Sequence, residues 1–516
     1  MKILLVNPKS PVFSTRIGVG IQIPLGLLAI GGPLLDAGHQ VSLLDMDALG
    51  LSLEQTCREI LARKPQAVLI GHSGSTTAHP SSMILARKIK ECSPTLAIIY
   101  GGVFPTYHAK EILQNEPAVD IIVRGEGEET TLRTIHALEN GFPLSHILGI
   151  TYRSHEGVLE NVSAPLLKNL DDYRIGWELI ESWDLYQCWG VGRAAAIQFS
   201  RGCPHQCSYC GQNRFWQRWR RRDPVKVVDE MEMLFRKHDV RFINITDENP
   251  AVSRQAWQTL LEELQRRNLP IALFAGMRAS EVIRDADILP LYRKVGFVCI
   301  NMGIETTDQD TIRLIRKGSN ASDDFQAIQL LKKNNILSMA GYVIGFKRGK
   351  TPGLLTTLTT LAAYGPDFLN TLYATPHSWT PFAKENSQRQ VIQTDLGRWD
   401  YRTQVLDMDG ISPWQIFIWV KMLEMLYHLR PMNLLRILFH PDLLCRHGLR
   451  WSVQRMTRVW FAEIWDFLWH LKINRHSLSL KIFLDRITVV QPSDHPHAHE
   501  KSQFPQAWQK VSFIAK

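Results

Sequence analysis

Three cysteines fall within eight residues, in the run Arg201-Gly202-Cys203-Pro204-His205-Gln206-Cys207-Ser208-Tyr209-Cys210. The run directly follows an apolar stretch, Ala195–Phe199, that reads as a strand. Thiolates spaced x3 and then x2 can ligate three corners of one cubane iron–sulfur cluster. The fourth iron is then open, able to bind a small molecule and pass it an electron. A four-thiolate zinc site needs a second cysteine pair at short range. The other five cysteines, Cys57, Cys92, Cys188, Cys299 and Cys445, are scattered instead. Zinc and buried free thiols stay as the alternatives to a cluster.

A second group of candidates lies earlier, where three predicted strands end in small residues. These ends are Gly71-His72-Ser73-Gly74-Ser75-Thr76-Thr77, Gly101-Gly102-Val103-Phe104-Pro105-Thr106 and Arg124-Gly125-Glu126-Gly127-Glu128. Glycines let backbone amides approach a large flat ligand, and Ser and Thr hydroxyls can bond to its polar rim. One such loop is ordinary turn chemistry; three on one sheet edge point to a ligand site.

The elements that must position these residues follow from hydrophobic patterning. Up to residue 145 short apolar runs alternate with helical segments: strands at Ile3–Val6, Val41–Leu44, Ala67–Ile70, Leu96–Tyr100 and Ile121–Val123. Runs this short and this apolar are parallel strands buried on both faces, so the fold class is α/β, with an open doubly wound, Rossmann-like sheet. Ligands on such sheets sit outside the carboxyl ends of the strands, where the glycine loops are. Residues 146–188 read as a connector with a hairpin at Gly149–Val158. Residues 189–384 hold six further β/α units, with strands at Ala195–Phe199, Phe242–Thr246, Ile271–Ala275, Val298–Met302, Ser338–Ile344 and Phe368–Tyr373, which predict a partial (β/α)6 TIM-type barrel. Residues 385–490 read as an α-helical domain rich in Trp and Arg, with helical apolar spacing at Ile416–Leu429, Leu434–Phe439 and Val459–Leu471. Residues 491–516 read as a loose tail, whose three clustered His could bind adventitious metal.

The bulk numbers bound this reading. The chain has 516 residues, 45% of them hydrophobic and 21% charged, which excludes disorder, collagen and coiled coil as the main state. The net charge of +9 fits an anionic ligand, a membrane surface or nucleic acid without choosing among them. The opening MKILLVNP reads as a buried strand and not a signal peptide, and no stretch of ~18 apolar residues is free of charge, so no spanning helix is expected. A reducing cytoplasm is the expected compartment.

Cys-x3-Cys-x2-Cys with an aromatic residue before the last Cys resembles the radical S-adenosylmethionine superfamily. The resemblance implies a 4Fe-4S cluster on Cys203, Cys207 and Cys210 whose open iron chelates S-adenosylmethionine, with one-electron reduction yielding a hydrogen-abstracting deoxyadenosyl radical. It places Tyr209 near the adenine, Glu248 of Asp247-Glu248-Asn249-Pro250 at the methionine amine, Gly303 and Glu305 of Gly303-Ile304-Glu305-Thr306 at the ribose, and Gly341 of Gly341-Tyr342-Val343-Ile344-Gly345-Phe346 under the adenine. The N-terminal sheet resembles the cobalamin-binding domain found before many such barrels. That implies cobalamin contacts at Ser73, Gly74, Ser75, Thr76, Gly101, Gly102, Pro105, Thr106, Gly125 and Glu126. The Asp-x-His-x-x-Gly signature is absent, and His72, His79 and His108 do not have its spacing, so the cobalamin is expected to lack a His ligand on its lower face.

The run Cys207-Ser208-Tyr209-Cys210-Gly211-Gln212-Asn213-Arg214-Phe215-Trp216, continuing through Arg222-Asp223-Pro224, resembles a narrower family, the anaerobic magnesium-protoporphyrin IX monomethyl ester oxidative cyclases. So do Asp247 to Pro250, Thr375-Pro376-His377-Ser378-Trp379-Thr380-Pro381 and Trp399-Asp400-Tyr401. This resemblance runs over about residues 1 to 470. It implies oxidation of the 13-propionate methyl ester side chain to a ketone, with oxygen from water, and closure of the fifth ring to divinyl protochlorophyllide. A planar tetrapyrrole needs a broad aromatic-lined site. Trp216 and Trp219 are candidate walls for it, and Arg220, beside Arg218, Arg221 and Arg222, a candidate partner for a free propionate. The plain alternative is a basic helix start that packs by its aromatics. The same resemblance implies an electron donor such as a ferredoxin or flavodoxin, no nucleic-acid partner, and peripheral contact with a photosynthetic membrane. A related cobalamin-dependent radical methyltransferase or ring-forming enzyme on another polycyclic or lipid-like substrate is the second reading. A non-enzymatic cobalamin and iron–sulfur sensor, or a nucleic-acid binder using the Arg cluster, is the third.

Overall fold

The computed structural model describes residues 1–9, 21–72, 76–349, 353–469 and 478–487. Two seven-stranded sheets organise them. The first contains β1 (Lys2–Asn7), β2 (Gln40–Asp45), β3 (Ala67–Ile70), β4 (Ala97–Gly101), β5 (Ile121–Val123), β6 (Ile150–Ser154) and β7 (Gly157–Glu160), in the spatial order β2-β1-β3-β4-β5-β6-β7. The first five are parallel; β6 and β7 are the hairpin expected after Gly149, and they extend the sheet antiparallel from β5. Successive residues of β1 alternate between two cores: Ile3 and Leu5 join one, Leu4 and Val6 the other. Helices on both faces are what make these runs apolar throughout.

The second sheet has at its edge the short β8 (Gln187–Cys188), antiparallel to its neighbour β9 (Gly192–Ile197). Its other six strands are β9, β12 (Val240–Ile245), β13 (Ala272–Gly276), β14 (Phe297–Glu305), β15 (Leu337–Ile344) and β16 (Phe368–Tyr373), parallel to one another and adjacent in chain order. Between β9 and β12 a two-residue ribbon, β10 (Ser200–Arg201) with β11 (Arg220–Arg221), closes the base of the cysteine loop. The six strands stand within a few residues of their predicted places, and the sheet curls as a half-barrel. Strands of this kind, each followed by a helix, follow one another in order because a right-handed crossover returns each chain segment beside the last.

The C-terminal part is helical, as expected, with helices Pro413–His428, Pro431–Phe439 and Leu443–Trp469; β17 (Gln390–Val391) and β18 (Leu478–Ser479) form a small ribbon. The last of these helices starts well before the predicted Val459. Its amino-terminal half packs Cys445 and Leu449 into a third core with Trp189, Phe242 and Phe368. A Cβ on Gly448 would stand 1.9 Å from the Trp189 indole, so this contact exists only because residue 448 has no side chain. The two halves are one body: the core that contains Leu5 and Leu27 also contains Ile197, Val227 and Ile300. Ser73, Gly74, Ser75 and the tail 491–516 lie outside the described residues.

Candidate active site

The carboxyl ends of the two sheets face one another across a cavity of about 360 Å3. The first sheet contributes His72, Gly101, Gly102, Gly125 and Glu126; the second contributes Gln198, Arg201, Thr246, Glu248 and, from the loop between them, Trp216. Two glycine-rich loops and the cysteine loop, separate in sequence, therefore border one space.

On the first side the loops are tied to each other. Thr106 Oγ1 donates to the Gly102 carbonyl at 2.7 Å and accepts from the Gly125 amide at 2.9 Å. Pro105 is buried behind them. Thr76 is buried and 2.9 Å from His377 Nδ1, whose Nε2 lies 2.6 Å from the Tyr401 hydroxyl. Burial lowers His377 to about 4, so it is neutral at physiological pH. Trp379 donates to the Gly211 carbonyl at 2.8 Å and stacks on Tyr107 at 4.7 Å. The segment 375–381 thus clamps the first domain to the cysteine loop.

On the second side the polar groups are chemical and buried. Asp247 accepts from the Phe199 amide (2.9 Å), the Ser200 amide (2.5 Å) and Ser200 Oγ (2.6 Å), which fixes the strand end just before the cysteines. Burial still pushes its carboxyl up to about 8. Glu248 Oε2 accepts from the Gly202 amide at 3.2 Å, and burial raises its pKa too. Cys203 and Cys210 are held in the thiol form by burial, Cys210 at about 11. Metal ligation takes cysteines as thiolates, so a bound cluster would offset this burial. Arg278 Nη1 is 3.7 Å from Cys207 Sγ and supplies a cation beside them. Among the described residues no three His, Cys, Asp or Glu side chains converge on a single metal ion. A cubane takes its thiolates one per corner, farther apart than ligands on a lone ion, and the all-sulfur donor set of this loop fits it.

Beside the loop, the buried Tyr209 faces Glu305, and the carboxylate adds to burial in raising the phenol's pKa. Glu305 has φ +62° and folds back over Gly303, where a Cβ would fall 2.1 Å from Oε1. Gly303 pairs in register with Gly341 on the next strand. The four residues expected around S-adenosylmethionine other than Glu248 are therefore one patch, with two side-chain-free positions as its floor. The glycine-lined wall of the cavity likewise fits a large flat ligand such as cobalamin.

Trp219 and Arg220 bond to other parts of the chain. Trp219 Nε1 donates to Ser200 Oγ and to the Asn249 carbonyl, and Arg220 pairs with Glu126 at 2.8 Å and bonds the Leu167 carbonyl. Of the three proposed substrate residues, Trp216 is the one on the cavity. Sequence reasoning missed Arg201. It is buried on the cavity wall, ion-paired to Glu126 and Glu128, with its guanidinium 5.1 Å from the centre of the Trp216 ring. Burial acts to raise Glu126, but Arg220 and Arg201 outweigh it and hold the carboxyl below its usual range. Its place beside Gly202-Cys203 was a local signal. Arg278, 71 residues from its sulfur partner, had none.

Comparison with known proteins agrees with this architecture. Residues 197–350 match the radical SAM superfamily model and residues 19–134 the B12 binding domain. The chain is 46% identical over 467 residues to the anaerobic magnesium-protoporphyrin IX monomethyl ester cyclase of Synechocystis sp., covering 90% of this chain and 93% of that one. It is 29% identical to the enzyme of that name from Rubrivivax gelatinosus, over 80% of this chain and 74% of that one. Among solved structures it is similar to OxsB, a cobalamin-dependent S-adenosylmethionine radical enzyme with aqua-cobalamin and S-adenosylmethionine bound (TM-score 0.64, 15% identity, 94% of this chain and 84% of that one). It is also similar to TsrM, a radical S-adenosylmethionine methyltransferase from Kitasatospora setae (TM-score 0.61, 19% identity, 75% and 78%). At these identities the structural matches speak for the fold.

Proposed function

Because the chain belongs to the anaerobic magnesium-protoporphyrin IX monomethyl ester cyclases, cobalamin-binding members of the radical S-adenosylmethionine superfamily, we propose that it carries out their reaction. It converts magnesium-protoporphyrin IX 13-monomethyl ester to 3,8-divinyl protochlorophyllide, with oxygen from water, in oxygen-independent chlorophyll or bacteriochlorophyll synthesis. It is an oxidoreductase that uses a 4Fe-4S cluster, S-adenosylmethionine and cobalamin. The observation that carries the reading is the single cavity on which the glycine edge of the first sheet meets Glu248, Arg201 and Trp216 of the second.

Cys203, Cys207 and Cys210 would hold the cluster. Tyr209, Glu248, Gly303, Glu305 and Gly341 would hold S-adenosylmethionine, and the loops around Thr76, Gly101, Gly102, Pro105, Thr106, Gly125 and Glu126 the cobalamin. When bound, these groups supply one-electron chemistry strong enough to take hydrogen from an unactivated CH2 without oxygen. The chain itself orients and encloses. Asp247 and Gly202 fix the start of the cysteine loop, the 375–381 segment holds the two halves together, and Trp216 offers an aromatic face to a flat substrate. A small one-electron donor such as a ferredoxin or flavodoxin and a peripheral membrane contact belong to the same proposal.

The test is an anaerobic assay with magnesium-protoporphyrin monomethyl ester and a reductant. Ring closure appears as the red-shifted spectrum of protochlorophyllide. Transfer of labelled methyl from S-adenosylmethionine to product, without ring closure, would replace this reading by a methyltransferase.

A further inference from the structure

The three C-terminal helices leave an apolar and cationic face outside the fold. Fourteen of the twenty-six exposed large apolar side chains among the described residues lie within 413–469. Scattered exposed apolar residues are ordinary; a concentration of this kind marks an interaction surface. On the long helix Leu443–Trp469 exposed positions recur every three or four residues, from Leu443 through His447, Arg450, Gln454, Arg458 and Phe461 to Trp465 and Trp469. They form one stripe on a 27-residue helix about 40 Å long. Its ends are apolar and its middle is basic. At the far end Phe467 stacks on Phe417 at 3.9 Å, which brings the exposed Trp414 and Ile418 alongside. At the near end Arg450 donates to the Ile437 and Leu438 carbonyls, which brings in the short helix with Leu435 and Phe439, the latter 71% exposed.

The charges select the occupant. Residues 411–469 contain four acids. Glu424 and Glu463 are buried with Arg402 and Lys421, Asp466 is paired with Arg398, and Asp442 with Arg293. The exposed charges left on these helices are Arg450 and Arg458. A second copy docking through a two-fold axis would set this face against itself, arginine against arginine with no carboxylate between them. A surface that is apolar below and anionic above meets both features. No helix among the described residues is long and apolar enough to cross a membrane.

We propose that these helices lie on the surface of a bilayer that carries anionic lipid. The apolar ends of the stripe enter the acyl boundary, the Trp rings sit at headgroup level, and Arg450 and Arg458 meet lipid phosphates. This face specifies the peripheral membrane contact of the functional reading. It does not depend on which substrate is turned over, so its test reads partition and not activity.

The full chain, purified without oxygen and carrying its cofactors, is sedimented with phosphatidylcholine vesicles with and without phosphatidylglycerol. The expected result is partition at least about tenfold stronger onto the anionic vesicles and weakened by salt. Leu435→Gln with Phe439→Gln, and separately Arg450→Gln with Arg458→Gln, should each lower partition about tenfold, while iron, sulfide and corrin content stay at wild-type levels. Wild-type chain that stays in the supernatant overturns the proposal, as do variants that bind like wild type. So does a dimer, without vesicle binding, that the Leu435→Gln, Phe439→Gln variant turns into monomer; that result assigns the face to a second copy.

Discussion

The two sheets meet at one cavity, yet they bring different kinds of matter to it. The first sheet brings absence of side chain. Gly101, Gly102 and Gly125 face the space, while Thr76, Thr106 and Glu126 spend their hydrogen bonds on other parts of the chain. The second brings charge, Glu248 and Arg201, and behind that wall it holds the half-buried sulfurs of Cys203, Cys207 and Cys210, with Glu305 at φ +62°. A wall of backbone recognises shape, because it can approach a flat ligand closely. A wall of buried charges does chemistry, because low dielectric strengthens each interaction. Substitutions on the two sides should therefore fail in different ways.

The strongest test of that difference is removal of sulfur. Cys203→Ala, Cys207→Ala or Cys210→Ala should each abolish the brown chromophore and reductive cleavage of S-adenosylmethionine, with cobalamin uptake intact. Iron, sulfide and corrin analysis after anaerobic purification reads both halves at once. Loss of corrin together with iron would show that the two walls are not separable.

Next is the hinge of the cysteine loop. Gly202 has φ +86°, and a Cβ there would stand 2.4 Å from the Arg218 carbonyl. Gly202→Ala combines backbone strain with a clash against main chain and should cost about 3 kcal/mol, visible as a lowered denaturation midpoint. Glu126→Gln should cost less, about 2 kcal/mol. It takes one charge from a buried network in which Arg201 keeps Glu128 but Arg220 keeps only a carbonyl and weaker contacts. If Glu126→Gln is neutral in stability but loses cobalamin, the glutamate belongs to the ligand and not to the contact between domains.

What could be read from the sequence follows the range of the interactions. Parallel strands are buried on both faces, so they appear as short apolar runs, and Phe368–Tyr373 matches at both ends. The cysteine spacing and the glycine loops are equally local. The long helix was half visible, because Gly448 and the polar stretch from Arg450 to Arg458 break its apolar spacing. That glycine makes room for Trp189, and from that stretch Arg450, Gln454, Thr457 and Arg458 face outward; neither reason is local. The ion pair of Arg220 with Glu126 was not legible, because the two lie 94 residues apart. Arg201 had a local signal in its place beside Gly202-Cys203, but its carboxylate partners, like the sulfur partner of Arg278, are brought close by the fold alone.

The smallest expected effect is the most discriminating. Gly341 pairs in register with Gly303, yet unlike Gly202 it is not held by its own backbone. A Cβ there would meet neighbours at ordinary contact distances, 3.8 Å and beyond, and its φ is not in the left-handed region. Nothing in the protein alone demands glycine at 341, so Gly341→Ala should leave the denaturation midpoint unchanged within about 0.5 kcal/mol. If a ligand lies flat across this strand, the added methyl meets it and not the protein. Affinity for S-adenosylmethionine should then fall about tenfold, or about 1.4 kcal/mol, by equilibrium binding to the cluster-loaded enzyme. Unchanged affinity would remove Gly341 from the ligand floor. A lost denaturation midpoint would make the residue a packing requirement, and the second wall would then need glycine for its own stability as Gly202 does.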